Sequence, residues 1–291
     1  MPAQMENTLA KAPGRLQVVA TPIGNLSDLS ARAHQALAES DLVAAEDTRH
    51  TLGMLQAMGI SKPMVSLHAY NEGQRVPDLL ARLGAGEVIA LVSDAGTPLL
   101  SDPGFELVSA AASAGFEVRV IPGPSAITAA LAVAGLPTSR FCFEGFLPSR
   151  SRERRTELAR LARETRTLVF FEAPHRIAQT LADLVGEFGG ERRAVVAREL
   201  TKTHETIYRG KLSELVELSV ADANFQRGEI TLVVSGAEEV ASAVDSQLLK
   251  RAVELLAKEL PPGRAASIAA QLTGASRSEA YDLIKGSKQE V

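Results

Sequence analysis

Cysteine is nearly absent from this 291-residue chain: Cys142 stands alone, so no intrachain disulfide can form, which suits a reducing compartment. Long hydrophobic runs are missing too. The longest near-continuous apolar stretch, Ala126 to Leu136, is far short of the roughly 20 residues that span a bilayer. The opening MPAQMENTLAKAPGR has no apolar segment behind a positive one, so no secretory signal is expected, and residues 1–14 are expected as a mobile tail. Charge of one sign is not in excess. With 31 Lys and Arg against 35 Asp and Glu the net charge is −4, which excludes a strongly basic DNA-coating protein but leaves room for local basic patches. Neither G-x-x-x-x-G-K-[ST] nor G-x-G-x-x-G after the first strand is present, so neither a P-loop nor a dinucleotide fold has direct support. The five histidines show no i,i+4 pair and no cysteine companions, so no metal site is expected. These absences together predict a soluble, cytoplasmic globular protein.

What is present is an alternation of short apolar runs with amphipathic segments. Leu16–Ala20, Leu42–Ala45, Val88–Val92 and Val118–Ile121 read as buried strands with helical stretches between them. One helix is predicted from Leu29 to Ala38, with Ser27 or Asp28 as its N-cap. Strand and helix in alternation imply an α/β domain with a largely parallel sheet, placed at residues 15–136. A second α/β domain with a mixed sheet is predicted at 137–240, from strands at Thr167–Phe171, Ala194–Arg198, Glu205–Tyr208 and Ile230–Val234 and a helix from Arg176 to Phe188. Residues 245–291 read as a helix-turn-helix-like module: a helix from Ser246 to Leu260, a short one from Arg264 to Thr273, Gly274 as a turn, and a last helix opened by the capping box Ser276-Arg277-Ser278-Glu279. A small helical packing module fits that stretch equally well.

Three loops rich in Gly, Pro and small residues follow predicted strands: Thr21–Leu26, Ser93–Pro98 and Ile121–Ser125. Ligands of open α/β sheets bind beyond the carboxyl ends of the strands, where Gly and Pro let the backbone approach closely. The segment Arg150–Arg166 holds seven arginines against three glutamates, a net of +4, and is the sharpest basic cluster in the chain.

The motifs AxPIGNLxD, EDTRHT, LVSDAGTPxxSDPG, VxxxPGPSAxxxAL, FxGFLP, FFEAPHR and ARELTKxHE, in this order between Leu16 and Gly236, resemble the tetrapyrrole methylase superfamily, and within it the branch that methylates small-subunit ribosomal RNA. The first loop, Thr21-Pro22-Ile23-Gly24-Asn25, departs from the G-x-G-x-G-D turn of tetrapyrrole methylases proper, which points away from a corrinoid or porphyrin substrate. The resemblance implies two α/β domains with S-adenosylmethionine in the cleft between them, a homodimer, and 2′-O-methylation of a cytidine in the decoding region of 16S rRNA, in the 30S subunit.

It also implies roles for particular residues. Asp94, Ala95, Gly96 and Pro98 of the second loop, Ser125 and Ala126 after the third, and Pro22 and Gly24 of the first would hold the cofactor. Asn25 would shape the cleft or serve as a turn residue. Asp102 before Pro103 reads as a helix N-cap with proline at N1. A ribose hydroxyl is a poor nucleophile, so positioning and a general base would each help. Candidate bases are Glu172, His175 and Glu46, with Asp47, Glu199, Lys202 and His204 behind them. Glu172 could instead form a buried ion pair with Arg176 or Arg198. Arg49, Arg150, Arg152, Arg154, Arg155, Arg176, Arg198 and Lys202 suit RNA phosphate contacts, the basic run fitting a solvated amphipathic helix otherwise. Two other functions fit the same residues: a methylase of a tetrapyrrole or a translation-factor side chain, and a non-catalytic, metabolite-sensing DNA-binding regulator. The basic run and the C-terminal module argue against the first, the weak basicity of that module against the second.

Overall fold

A computed structural model describes residues 14–238 and 246–286. The tail expected at residues 1–14 falls, apart from Gly14, outside them. No described helix is long and apolar enough to cross a membrane.

The first half alternates strand and helix: β1 (Arg15–Val19), α1 (Ala31–Glu39), β2 (Leu42–Ala45), α2 (Thr48–Ala57), β3 (Met64–Ser66), α3 (Glu72–Gly84), β4 (Val88–Val92), α4 (Phe105–Ser113), β5 (Glu117–Ile121) and α5 (Ala126–Ala134). The strands form one parallel sheet in the order β3-β2-β4-β1-β5. Strands β2 and β4 are almost wholly buried, as their unbroken apolar runs require when helices cover both faces. Because β4, β1 and β5 are neighbours, the three Gly- and Pro-rich loops that follow them lie side by side. A two-way bridge joins the first two, Thr21 N–H donating to Gly96 O at 2.8 Å and Gly96 N–H to Thr21 O at 3.1 Å.

The second half runs β6 (Phe141–Phe146), α6 (Ser151–Leu161), β7 (Thr167–Glu172), α7 (Ile177–Phe188), β8 (Arg193–Arg198), β9 (Thr206–Lys211), α8 (Leu212–Ala221) and β10 (Ile230–Val234). Its sheet is mixed, in the order β6-β7-β10-β8-β9, with only the β6–β7 pair parallel. The two sheets belong to one compact unit that ends at Gly236. Helix α5 accounts for this: Ile127, Ala130, Leu131 and Ala134 pack with Val169, Val195 and Val233 of the second sheet in one buried cluster. The sequence-based boundary between residues 136 and 137 lies in the link from α5 to β6.

The remaining unit contains α9 (Ser246–Glu259), α10 (Pro262–Thr273) and α11 (Arg277–Gly286), closed around Leu249, Val253, Ala266, Ala269 and Ile284. Gly274 ends α10 with φ +73, and the expected capping box opens α11: Glu279 N–H donates to Ser276 Oγ at 3.2 Å and Ser276 N–H to Glu279 Oε2 at 2.9 Å.

Two local expectations are corrected. Helix α1 is capped by Ser30, whose Oγ accepts from Ala33 N–H at 3.1 Å, and not by Ser27 or Asp28. Those two lie in a single 3₁₀ turn that Asn25 caps, its Oδ1 accepting from Ser27 N–H at 3.0 Å. Nor does Asp102 cap α4. That helix starts two residues later behind Gly104, whose φ of +120 and close packing under Leu91 leave no room for a side chain.

Candidate active site

The loops after the first sheet's strands and the ends of β6, β7, β8 and β10 that face them enclose a cavity of about 360 Å³, within the roughly 300–1,000 Å³ typical of small-molecule sites. The first half contributes Ile23 after β1, Ala95–Thr97 and Leu100–Asp102 after β4, and Ser125–Ile127 at the start of α5. The second half contributes Phe146, Phe171–Pro174, Ala197, Leu200 and Gly228–Thr231. The last group enters because β10 runs antiparallel to β7 with Ile230 opposite Glu172, so the start of one strand meets the end of the other.

Of the residues expected to hold a cofactor, Ala95, Gly96, Ser125 and Ala126 line this cavity. Pro22, Gly24, Asp94 and Pro98 do not, and their contacts place them in the frame around it. Gly24 faces the loop after β8, where a Cβ would fall 2.3 Å from Lys202 Cγ. Asp94 joins the loops after β4 and β2, its Oδ1 accepting from Asp47 N–H at 3.1 Å. Pro98 is buried and Pro22 half-buried. Gly96 has φ +85, and a Cβ there would meet Ile23 Cγ2 at 3.3 Å. Helix α5 opens into the cavity without a side-chain cap from Ser125, which leaves its first N–H groups as free donors.

The candidate bases separate clearly. Glu172 lines the cavity but is saturated: Oε2 accepts from Thr180 Oγ1 at 2.6 Å, and Oε1 from Ala173 N–H at 2.7 Å beside Arg176 Nε at 3.2 Å. The buried ion pair is thus the arrangement found. His175 is exposed and outside the lining. Glu46 is half-buried behind the wall, its carboxyl pushed up by burial and by Asp94 and Asp47. Asp47 caps α2 and is drawn well below the usual carboxylate range by the Arg49 side chain and N–H. Glu199 and Lys202 bond each other at 2.9 Å, and His204 is exposed.

Sequence reasoning missed Asp102. It is half-buried on the cavity wall, and its carboxyl is pushed up to about 6, chiefly by burial, against a hydrogen bond from the Ser93 hydroxyl and with help from the charges of Glu46 and Asp94. The Asp-Pro-Gly that ends LVSDAGTPLLSDPG was the available signal, but it reads first as a helix start. Phe146 and Phe171 were missed as wall residues; their rings pack at 5.6 Å between centroids, with Phe146 56% exposed.

The basic candidates also divide. Arg154 is wholly buried: Nε donates to Asp183 Oδ2 at 2.7 Å and Nη1 to Ser149 O at 3.2 Å, so it is structural and unavailable to RNA. Arg198 is likewise spent inside, on the carbonyls of Arg227 and His204. Arg176 binds Leu147 O and Glu172, and Lys202 binds Glu199 and Glu229. Arg49 and Arg150 are exposed but paired locally, with Asp47 and Glu153. Arg152 and Arg155, one turn apart on α6, are exposed and in no ion pair among the described residues, as is Arg163 just beyond.

Comparison with known proteins identifies the family. Residues 15–216 match the family model for Tetrapyrrole (Corrin/Porphyrin) Methylases, and residues 242–284 that for the RsmI C-terminal HTH domain. A protein of Xylella fastidiosa strain Temecula1 named Ribosomal RNA small subunit methyltransferase I is 51% identical over 92% of this chain and 98% of its own. One of Pseudomonas aeruginosa with the same name is 50% identical over 92% and 95%. Among solved structures, the uroporphyrin-III C-methyltransferase of Thermus thermophilus complexed with S-adenosyl homocysteine superposes with a TM-score of 0.53 at 20% identity, covering 76% of this chain and 97% of that one.

Proposed function

The chain belongs to the tetrapyrrole methylase family, and from that premise we propose that it acts as the name of its relatives describes, as an enzyme that uses S-adenosylmethionine to methylate small-subunit ribosomal RNA, at the ribose 2′-oxygen of a cytidine in the decoding region of 16S rRNA. The observation that carries the reading is kinship at about half identity through both units of the chain, C-terminal helices included. We place its substrate in the 30S subunit, the enzyme in the cytoplasm, and a homodimer as its working form.

The cavity fits the cofactor on its own terms. Gly96 provides a cradle that any Cβ would begin to fill, and the first turn of α5 offers uncapped N–H donors, suited to the polar ends of a zwitterionic ligand. Ala95, Gly96, Ser125 and Ala126 would hold it, with Ile23 and Ile127 as apolar wall. When bound, S-adenosylmethionine supplies an electrophilic methyl group on a sulfonium. The chain's own residues then have to orient a hydroxyl, exclude water and receive a proton. Phe146 and Phe171 form an aromatic wall on which a base drawn out of the RNA could stack. Arg152 and Arg155 supply unpaired positive charge for the backbone, which positions RNA without reading its sequence.

The direct test incubates the purified protein with radiolabelled S-adenosylmethionine and 30S subunits from cells lacking the modification, beside free 16S rRNA and duplex DNA. Label on one ribose 2′-oxygen is the expected result. No label on any RNA, with cofactor still bound, would move the assignment to a small-molecule or protein methylase. A second expectation concerns α6: the double variant Arg152→Glu, Arg155→Glu should weaken RNA binding by roughly tenfold at moderate salt and flatten its salt dependence, with cofactor affinity unchanged. RNA affinity equal to wild type would reject α6 as the contact surface.

A further inference from the structure

Beyond the cavity, the ligand side of the first sheet continues over β2 and β3. Neighbouring strands lie about 5 Å apart, so the loop after β3 is roughly 10 Å from the loop after β4 that lines the cavity. Hydrogen bonds tie the loops together across that span. Asp94 after β4 accepts from Asp47 N–H after β2 at 3.1 Å, and Ser66, the last residue of β3, donates its hydroxyl to Glu46 O at 3.3 Å. One surface therefore runs from the cavity to the outer strand.

Its outer end carries Tyr70, one of three tyrosines in a chain without tryptophan, and 96% exposed. A ring held in water adds nothing to the core, yet the loop that bears it is firmly built. Asn71 Oδ1 accepts from His68 N–H at 2.8 Å and Asn71 Nδ2 donates to Ser66 O at 3.1 Å, which closes the turn around Tyr70. Glu72, the next residue, is buried, and its Oε1 accepts from Leu107 N–H at 3.1 Å, anchoring the turn to the start of α4. His68 meets the tyrosine ring edge-on, 6.1 Å between centroids. An aromatic face on so rigid a support loses little conformational freedom when a ligand stacks on it.

The charge around this ring suits a nucleic acid. Arg75, in the first turn of α3, is exposed and in no ion pair among the described residues. Arg49 and His50, at the start of α2 on the adjoining loop, are exposed too. Glu72, the one carboxylate between His68 and Arg75, is turned inward on α4. A protein partner would ask for a wider apolar patch, whereas the exposed sequence neighbours Ala69, Gly73, Gln74 and Arg75 are small or polar. An unpaired base with its phosphate asks for what is present, a ring face and a cation.

We propose that Tyr70 is a stacking platform for a base flanking the nucleotide in the cavity, with Arg75 on the adjacent phosphate; this rests on the RNA methyltransferase reading above. Every base has a π-face, so Tyr70 contributes affinity and register and does not read sequence. The RNA surface then has two sides, α6 in the second half and the loop after β3 in the first.

The test measures binding of 30S subunits from cells lacking the modification to wild type, Tyr70→Ala, Tyr70→Phe and Arg75→Ala over a range of salt. Affinity for S-adenosylhomocysteine, melting temperature and sedimentation are measured alongside. Tyr70→Ala should lose about 5- to 100-fold in subunit affinity with its salt dependence unchanged, while Tyr70→Phe, which keeps the ring, stays within about threefold of wild type. Arg75→Ala should instead lower the slope of log affinity against log salt by about 0.7–0.9. All three alter exposed side chains, so they should melt within about 2 °C of wild type and keep its cofactor affinity. In labelling, the loss in Tyr70→Ala should fall on KM for subunits, with kcat kept. Subunit affinity of Tyr70→Ala within about twofold of wild type overturns the proposal, as does an equal loss in Tyr70→Phe. A change of sedimentation in Tyr70→Ala overturns it in favour of a contact between copies of the chain. If wild type neither binds nor labels subunits, the functional reading itself fails; if wild type labels one ribose and Tyr70→Ala is unimpaired, that reading stands and only the stacking role is lost.

Discussion

Gly96→Arg should leave a folded protein that binds S-adenosylhomocysteine at least about a hundredfold more weakly, a loss of roughly 2.7 kcal/mol by calorimetry. Two effects combine at this position. The backbone sits at φ +85, where any side chain costs about 1–2 kcal/mol, and the first carbon of that side chain already lies 3.3 Å from Ile23 Cγ2. That strain is a modest share of the 5–15 kcal/mol typical of a stable protein, so the circular dichroism spectrum should remain native. The remainder of an arginine has nowhere to go but the cavity wall shared by Gly96, Ile23 and Ala126. Gly96→Ala separates the two effects: it carries the backbone strain without filling the space, and should lose stability while keeping measurable affinity. Wild-type affinity in the arginine variant would show that the cofactor lies elsewhere.

The parts of this site that were legible in the sequence share one property: their meaning is local. Each of the three ligand-side loops follows a short apolar run and carries its own Gly and Pro, so strand end and loop are read from the same few residues. The capping box at Ser276 and Glu279 was legible for the same reason. Strand β6 was not. Its sequence, Phe-Cys-Phe-Glu-Gly-Phe, has a glycine bulge that breaks the alternation and side chains that are partly exposed. Residues 228–231 complete the cavity only because β10 pairs antiparallel with β7, a partnership between segments about sixty residues apart that no local pattern encodes. Asp102 was misread because Asp-Pro is a sound helix start on local grounds. What displaced it was long-range packing, Gly104 lying under Leu91.

The same distinction governs the basic run, where Arg154→Ala should destabilise the compact unit by about 3–5 kcal/mol while its neighbours on α6 can be reversed at little cost. Arg154 has no exposed side-chain surface, and its partner Asp183 lies on α7 with a side chain only 13% exposed. Removing the guanidinium leaves that carboxylate with the Ser151 hydroxyl, at 3.2–3.3 Å, as its remaining side-chain donor. It also orphans the carbonyls of Pro148 and Ser149 that Arg154 Nη1 now satisfies. Removing both charges together should cost less than removing one, since an unpaired buried charge is what the single variant creates. Arg154→Met with Asp183→Leu should therefore recover part of the loss. Urea denaturation of the two variants against wild type measures this directly, and a loss below about 1 kcal/mol for Arg154→Ala would mean that water reaches Asp183 after all. Arg152→Glu with Arg155→Glu is the counterpart, altering exposed side chains with no partner to lose, so its urea midpoint should stay within about 0.5 kcal/mol of wild type while its RNA affinity falls. Arg154 faces the interior of the unit and Arg152 and Arg155 face solvent, so the two variants should separate a loss of stability from a loss of RNA affinity within a single helix.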